Sequence, residues 1–258
     1  MRLPEKRIIE IKELIKKEKT VSVERISQIF NISPLTVRRD LTRLDSEGFL
    51  SKVHGGAVYR DNLESEPVFD DRVKLFTEEK DRIAQEAAKR INDNDTIILE
   101  SGSTCLRVVR YLSDKKNLQV STAGIPIANE LWRLMSFKKD LEVSVSGGIV
   151  RPGSGIYAGP HAVSYFRGIN VDKVFISAVG VSPEKGITTA TQYDAELIKS
   201  MVDCAKKTIL ICDSSKFGVD SYINVITIDK LDEIITDKNI DPLILKKIKS
   251  IGVKITCV

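Results

Sequence analysis

The sequence predicts an α/β chain of two domains. A small, basic, helical N-terminal domain precedes a larger one built on a doubly wound, mostly parallel sheet. Three observations predict this. The 258 residues exceed the roughly 100–200 of one domain. Residues 1–60 carry 13 Lys/Arg against 8 Asp/Glu, a net of +5 in a chain of net +4, so the remainder is net −1. From Glu78 onward, short β-branched runs alternate with helical patterns, the sequence form of a parallel sheet with helices on both faces.

Pro4 to Lys19 reads as a first helix with Ile8, Ile11, Leu14 and Ile15 on its buried face. Ser22 caps a short second helix, Val23 to Phe30, with Ile26, Ile29 and Phe30 as its apolar positions. Asn31-Ile32 is a tight connection. Ser33 then offers a capping oxygen, and Pro34 has a helical φ and no N–H to lose, so a third helix starts there. Gly48 is its stop, with Phe49 and Leu50 packing back. Val37, Leu41 and Leu44 share one face of this helix. The opposite face carries Leu35, Thr36, Arg39 and Arg43, with Arg38 on its flank. Taken alone this is equally an ordinary amphipathic helix with a solvated basic face.

The neighbouring residues decide between the two. Two short helices and a tight turn make a helix-turn-helix, whose second helix reads the major groove. Arg pairs bidentately with guanine, and Leu or Thr methyls touch thymine. Phe49–His54 and Ala57–Tyr59 read as strands joined at Gly55-Gly56, with Lys52 and His54 on this wing. The candidate DNA-binding residues are Ser33, Leu35, Thr36, Arg38, Arg39, Arg43, Lys52 and His54. The local excess of positive charge fits phosphate neutralisation.

Residues 61–71 are acidic and interrupted by Pro67, and read as a linker between domains 1–60 and 72–258, with Phe69 anchored on one of them. Beyond it the expected order is helix 78–91, strand 96–100, helix 105–112, strand 118–122, helix 126–135 and strand 141–146. A Gly-rich loop, helix 161–167, strand 173–178, helix 194–204 and strand 208–212 follow. Strand 233–236, a helix from Pro242 capped by Asp241, and strand 254–258 close the chain. Ligands of such sheets bind beyond the carboxyl ends of the strands. The residues there are small and polar: Ser101, Gly102, Ser103 and Thr104, then Thr122-Ala123-Gly124, Gly147 and Gly148 with Arg151, Gly180, and Asp213 to Lys216. The first loop runs into a helix N-terminus, where N–H groups and hydroxyls make an anion cradle. Arg151 and Lys216 add positive charge. Any one such loop is also explained as a turn; their convergence on one sheet edge favours a site.

The run from Ser33 to Leu41, with Leu44, Glu47-Gly48 and Val53-His54-Gly55-Gly56-Ala57, resembles the N-terminal domain of the DeoR family of bacterial transcriptional regulators. Phe69 and Arg72, Glu79-Lys80, Ser101–Thr104, Pro126 to Leu131, Gly147-Gly148, Gly159-Pro160 and Asp213 to Gly218 resemble that family's sensor domain. The resemblance therefore spans nearly the whole chain. It implies a winged helix-turn-helix, operator DNA as partner and a phosphorylated sugar as effector. It also implies a sensor fold like that of type A ribose 5-phosphate isomerase.

That kinship raises a rival, an active sugar-phosphate isomerase, which needs an acid–base pair. The enzymes' Asp-Gly-Ala-Asp loop is matched here by Ser177-Ala178-Val179-Gly180, without a carboxylate. Their catalytic Lys is matched by the region Ile187-Thr188-Thr189. Glu196 alone survives; a lone Glu on a helix is usually a solvated or capping charge, but the resemblance places it in the effector-binding set. Glu100 stands where the family commonly has Asp, Cys105 follows the Ser/Thr loop, and Ser121 to Gly124 replaces Thr-Asn-Ser. These departures bear on which effector is bound. The expectation is a cytoplasmic, non-enzymatic regulator and homodimer or homotetramer, repressing a sugar-metabolism operon until a sugar phosphate binds. A transcriptional activator of the same class is the alternative. No cofactor, metal site or membrane partner is expected: the four cysteines are scattered, and no apolar run approaches the ~18 residues of a membrane span.

Overall fold

The structure, a computed structural model, describes residues 4–46, 49–53, 55–59, 69–151 and 153–258. The chain separates into two units, residues 1–65 and 66–258. The first contains α1 (Pro4–Glu18), β1 (Thr20–Ser22), α2 (Val23–Phe30), α3 (Pro34–Ser46), β2 (Leu50–Val53) and β3 (Gly56–Tyr59). Ile8, Ile11 and Ile15 of α1 close a core with Ile26, Val37, Leu41, Leu44, Leu50 and Ala57. The expected hairpin is present as β2 and β3, and β1 adds a third strand in the order β1-β3-β2. At three residues β1 is too short to show an alternating pattern. Ile29 was expected inside but is 45 % exposed. The buried stripe runs through Val23, Ile26 and the half-buried Phe30, and Ile29 falls at its edge. The Gly48 helix stop and the Glu47-Gly48 motif lie outside the described residues.

The second unit begins with α4 (Phe69–Lys74), whose first three residues fall in the stretch 61–71 read as linker, and α5 (Thr77–Ala88); residues 61–68 of that stretch lie outside the described residues. Phe69 is buried, and Asp70 and Asp71 occupy the first turn of α4, where negative charge complements the helix dipole. Acidity at these positions is thus a helix-start signal. There follow β4 (Thr96–Leu99), α6 (Ser103–Val108) with a 3-10 turn to Tyr111, β5 (Leu118–Thr122), α7 (Ile125–Met135) and β6 (Leu141–Val145). The Gly-rich loop contains a hairpin, β7 (Ile149–Arg151) and β8 (Ile156–Ala158). Then come α8 (Pro160–Arg167), β9 (Val171–Ile176), β10 (Gly180–Ser182), β11 (Gly186–Thr189), α9 (Gln192–Asp203), β12 (Ala205–Ile211) and β13 (Ile223–Ile226). The unit ends with β14 (Glu233–Thr236), α10 (Pro242–Ile251) and β15 (Lys254–Cys257).

Seven strands form one sheet in the order β15-β14-β12-β9-β4-β5-β6, and every pairing in it is parallel. Ile83, Ala87, Val108, Ile127 and Leu131 from α5, α6 and α7 fill one core. Phe166, Leu197, Ile198, Met201 and Ile248 from α8, α9 and α10 fill the other. This is the doubly wound arrangement read from the sequence. β10, β11 and β13 make a small antiparallel sheet that the sequence reading lacked, again from strands of three or four residues. No helix among the described residues is long and apolar enough to cross a membrane.

Candidate functional site

In the first unit the site is α3. Ser33 Oγ accepts from the Thr36 N–H at 3.2 Å and lies 2.9 Å from Thr36 Oγ1, which caps the helix. The turn before it is fixed by Asn31 at φ 51° and by an Ile32 N–H to Ser27 carbonyl bond of 3.2 Å. Val37, Leu41 and Leu44 are buried, which leaves Leu35, Arg38, Arg39 and Arg43 exposed and Thr36 half-buried. Asp40 does not neutralise this face. It is buried, and Arg7 of α1 holds it bidentately, Nε to Oδ2 at 2.7 Å and Nη2 to Oδ1 at 3.1 Å. The Arg-Arg-Asp triplet therefore splits into two outward cations and one inward clamp. Lys52 on β2 donates to Thr42 Oγ1 of α3 at 2.9 Å, so the wing places its charge against the same helix. His54 lies outside the described residues.

In the second unit a cavity opens beyond the carboxyl ends of β4 and β9. Its walls are Glu100 and Ser101, Ser177 to Val179, Thr189, Asp194, Leu197 and Ile198, Ser154 and Ile156 of the hairpin, and Arg72 of α4. β9 ends two residues before the expected strand, which frees Ser177 and Ala178 to line the cavity. Glu100 builds the first loop. Its carboxylate accepts from Ser101 Oγ, from Gly102 N–H at 2.9 Å and from Ser177 Oγ at 2.6 Å. Ser103 and Thr104 are buried at the start of α6. A Cβ at Gly102 would collide with the Ser177 side chain, so only Gly fits there.

The other expected effector residues divide. Thr122 is buried and its Oγ1 accepts from the Gly124 N–H at 3.0 Å, so it shapes a turn behind the cavity. Gly147 and Gly148 join β6 to the hairpin. Gly148 sits at φ 119°, with the Ala158 carbonyl 2.6 Å from where a Cβ would be. Gly180 opens β10 against Val219 and Thr188 and does not line the cavity. Arg151 is not a free cation: its Nη1 donates to Asp194 Oδ1 at 2.7 Å and to Thr191 Oγ1 at 3.0 Å. Glu196 is exposed and accepts from Gln192 at 3.0 Å. Asp194 lines the cavity in its place, because residues two apart on a helix point about 200° apart. The cavity holds about 30 Å³ of water-accessible space, room for one or two waters. The Arg151–Asp194 pair ties the hairpin to α9.

Lys80 was quoted in the sequence but given no role. It is 3 % exposed and donates to the Arg72 carbonyl at 2.5 Å. Burial pulls its pKa down to about 8; Asp213 opposes the shift, while Lys216, Arg72 and Arg107 reinforce it. Arg107 also holds α4, donating to the Val73 carbonyl at 3.2 Å. Lys216, half-buried in the 3-10 turn Ser214–Lys216, thus belongs to a group of cations beside the cavity wall. The signal was present in the sequence: Lys80 occupies the first position of the stripe Lys80, Ile83, Ala84, Ala87, where an apolar residue belongs. All four cysteines are free, and burial pushes the Cys105 and Cys212 thiols well up, which leaves them unreactive.

Residues 7–62 match the DeoR-like helix-turn-helix domain, and residues 75–238 match the DeoR C terminal sensor domain. The HTH-type transcriptional regulator GolR of Listeria innocua is 33 % identical over 94 % of each chain. The glycerol-3-phosphate regulon repressor of Escherichia coli K12 is 28 % identical over 87 % of each. A ribose 5-phosphate isomerase structure from Plasmodium falciparum aligns over 54 % of this chain and 52 % of its own, at 15 % identity and a TM-score of 0.39. A helix-turn-helix with a basic outer face, a sensor-domain match over residues 75–238, and a relative a third identical over 94 % of each chain agree: the chain belongs to the DeoR family of transcriptional regulators.

Proposed function

We propose that this chain represses a sugar-metabolism operon and is released from its operator by a phosphorylated sugar bound in the cavity of the second unit. The observation that carries the effector reading is the charge balance around Lys80. Three further cations, Lys216, Arg72 and Arg107, bear on it against one carboxylate, Asp213. Arg107 is also paired with Asp81 at 3.5 Å, and Arg72 lines the cavity with Glu100 and Asp194; the desolvated Lys80 is the group whose charge an added anion would relieve. A relative named for a glycerol-3-phosphate regulon supports the same class.

The DNA reading rests on α3. Arg38 and Arg39 are exposed on it and Lys52 bonds its Thr42, and two copies related by a two-fold would read two half-sites. The enzyme alternative is disfavoured because Ser177 to Val179 reach the cavity without a carboxylate, and Glu100 is already held by three partners. Activator and repressor differ only in where the operator lies. The test is a titration of labelled upstream DNA by fluorescence anisotropy, with a panel of sugar phosphates added in turn. Release by one member, together with a thermal shift by the same member, is the expected result. Release by unphosphorylated sugars alone would refute the phosphate reading.

A further inference from the structure

The seven-stranded sheet ends on β6, and among the described residues no strand pairs with its outer edge. An open edge presents unpaired N–H and C=O groups and templates a further strand. One hydrogen bond fixes which groups face outward. The Ser146 N–H donates inward to the Thr122 carbonyl at 3.1 Å, and successive residues alternate sides. The backbone groups of Ser144 and Glu142 therefore face β5, and those of Leu141, Val143 and Val145 face out.

The edge has an apolar rim. α7 shares a core with Leu141 and Val143 of β6, its Ile127 and Leu131 buried there. Glu130, Arg133 and Leu134 on one flank of α7, with Phe137 just beyond its end, share a cleft with Leu106, Val109 and Arg110. At 100° per residue Trp132 lies on the other flank, toward the free edge, and is 67 % exposed. Val145, Ile149 and Val150 are exposed as well.

We infer that this edge joins a second copy of the chain by antiparallel β6–β6 pairing centred on Val143. That register sets Val143 against Val143 and Leu141 against Val145, outward groups facing outward groups. The three opposed pairs exchange on the order of six hydrogen bonds. Glu142 falls opposite Ser144, so no like charges meet. Centring on Glu142 would set two carboxylates face to face. Centring on Ser144 would run the ladder into Gly147, which at φ 63° has left the strand conformation. Opposed residues share a face of the sheet, so the two-fold brings both copies of α7 to one side, with a Trp132 from each beside the junction. The interface is isologous and closes as a dimer. The opposite sheet edge, β15, carries the exposed Lys254, a residue type that blunts such edges. The proposal is independent of the effector reading, because the edge lies outside the cavity.

The test is sedimentation velocity of the full chain at micromolar concentration, for wild type, Val143→Pro and Trp132→Glu. The Val143 N–H faces out, so proline there removes a bond between copies and none to β5. The wild type is expected as a dimer or an even multiple of it. Each variant is expected to halve the mass while keeping its far-UV circular dichroism. If Val143→Pro fails to fold, Trp132→Glu decides alone. A monomeric wild type, or a folded Trp132→Glu of wild-type mass, overturns the proposal.

Discussion

Lys80→Met separates a lysine held for a ligand from one held for the fold. The side chain is 3 % exposed and its pKa lies at about 8 against 10.5. At 1.36 kcal/mol per pKa unit, the charged form is disfavoured by roughly 3 kcal/mol. Methionine keeps the stem and removes the charge. It also deprives the Arg72 carbonyl of its donor, which takes back about 1–2 kcal/mol. The variant is therefore expected to be more stable at pH 7 by roughly 1–2 kcal/mol, a rise in Tm of about 3–6 °C for a domain of this size.

The pH dependence gives an independent reading. The folded pKa is depressed, so between about pH 8 and 10.5 the unfolded chain binds more protons and wild-type stability rises. Below pH 8 the penalty is present in full. Lys80→Met lacks this gain, so the gap between the two proteins should close as pH rises through that window. A bound phosphate would raise the Lys80 pKa, so inorganic phosphate should stabilise wild type and leave the variant unchanged. The assay is differential scanning fluorimetry from pH 7 to 10.5, with and without phosphate. A variant less stable than wild type at pH 7, with a gap indifferent to pH, would show that Lys80 serves chiefly to cap α4, and the anion reading would fall with it.

The other predictions concern single contacts. Arg39→Ala should lower operator affinity by roughly 1–3 kcal/mol, and Lys52→Ala should weaken all DNA alike and reduce the salt slope by about one; anisotropy titrations at several salt concentrations separate the two. Asp40→Ala leaves Arg7 half-buried without its carboxylate and should destabilise the first unit by up to about 3 kcal/mol in urea unfolding, with a wild-type midpoint refuting the clamp. Arg151→Gln should speed deuterium exchange in residues 149–158 while the β4 and β9 amides stay protected; unchanged exchange would mean that the pair does not restrain the hairpin. Lys216→Ala should keep operator affinity and lose effector response. It is a cleaner test than Gly102→Asp, whose side chain would collide with Ser177. Incubation with pentose and hexose phosphates in deuterated water should give no exchange at C2 by NMR, and exchange above a protein-free control would reinstate the isomerase.

The parts of this molecule legible in the sequence are those governed by a local period or cap. α3 was readable because Ser33-Pro34 starts it and Val37, Leu41 and Leu44 recur at helical spacing. The parallel sheet was readable because its strands are buried on both faces and appear as continuous runs rich in β-branched residues, as at Thr96–Leu99 and residues 208–211. What escaped is short or depends on a distant partner. Three-residue strands carry no periodicity, so β1, β7, β8 and β10 read as loop. Asp40 reads as one more charge on a helix that already has two arginines, and only Arg7, 33 residues away, makes it a clamp.

The cavity shows the same limit in a sharper form. Motif matching selected Glu196, and α9 turns it to solvent beside Gln192. Phase along the helix decides the matter, and that phase is set by Ala195, Leu197 and Ile198, all buried. They leave Asp194 on the cavity wall, where Arg151 and Thr191 each engage one of its carboxylate oxygens. A carboxylate has about four acceptor sites, so roughly two remain for donors from a ligand. Arg151, read from the sequence as a phosphate cation, is instead the partner that holds the Asp194 side chain in place. Among the other cations, Arg72 lines the cavity, and it acts with Lys216 and Arg107 on the buried Lys80. Cations on one side and an available carboxylate on the other suit a ligand with one anionic end and a hydroxyl-bearing remainder.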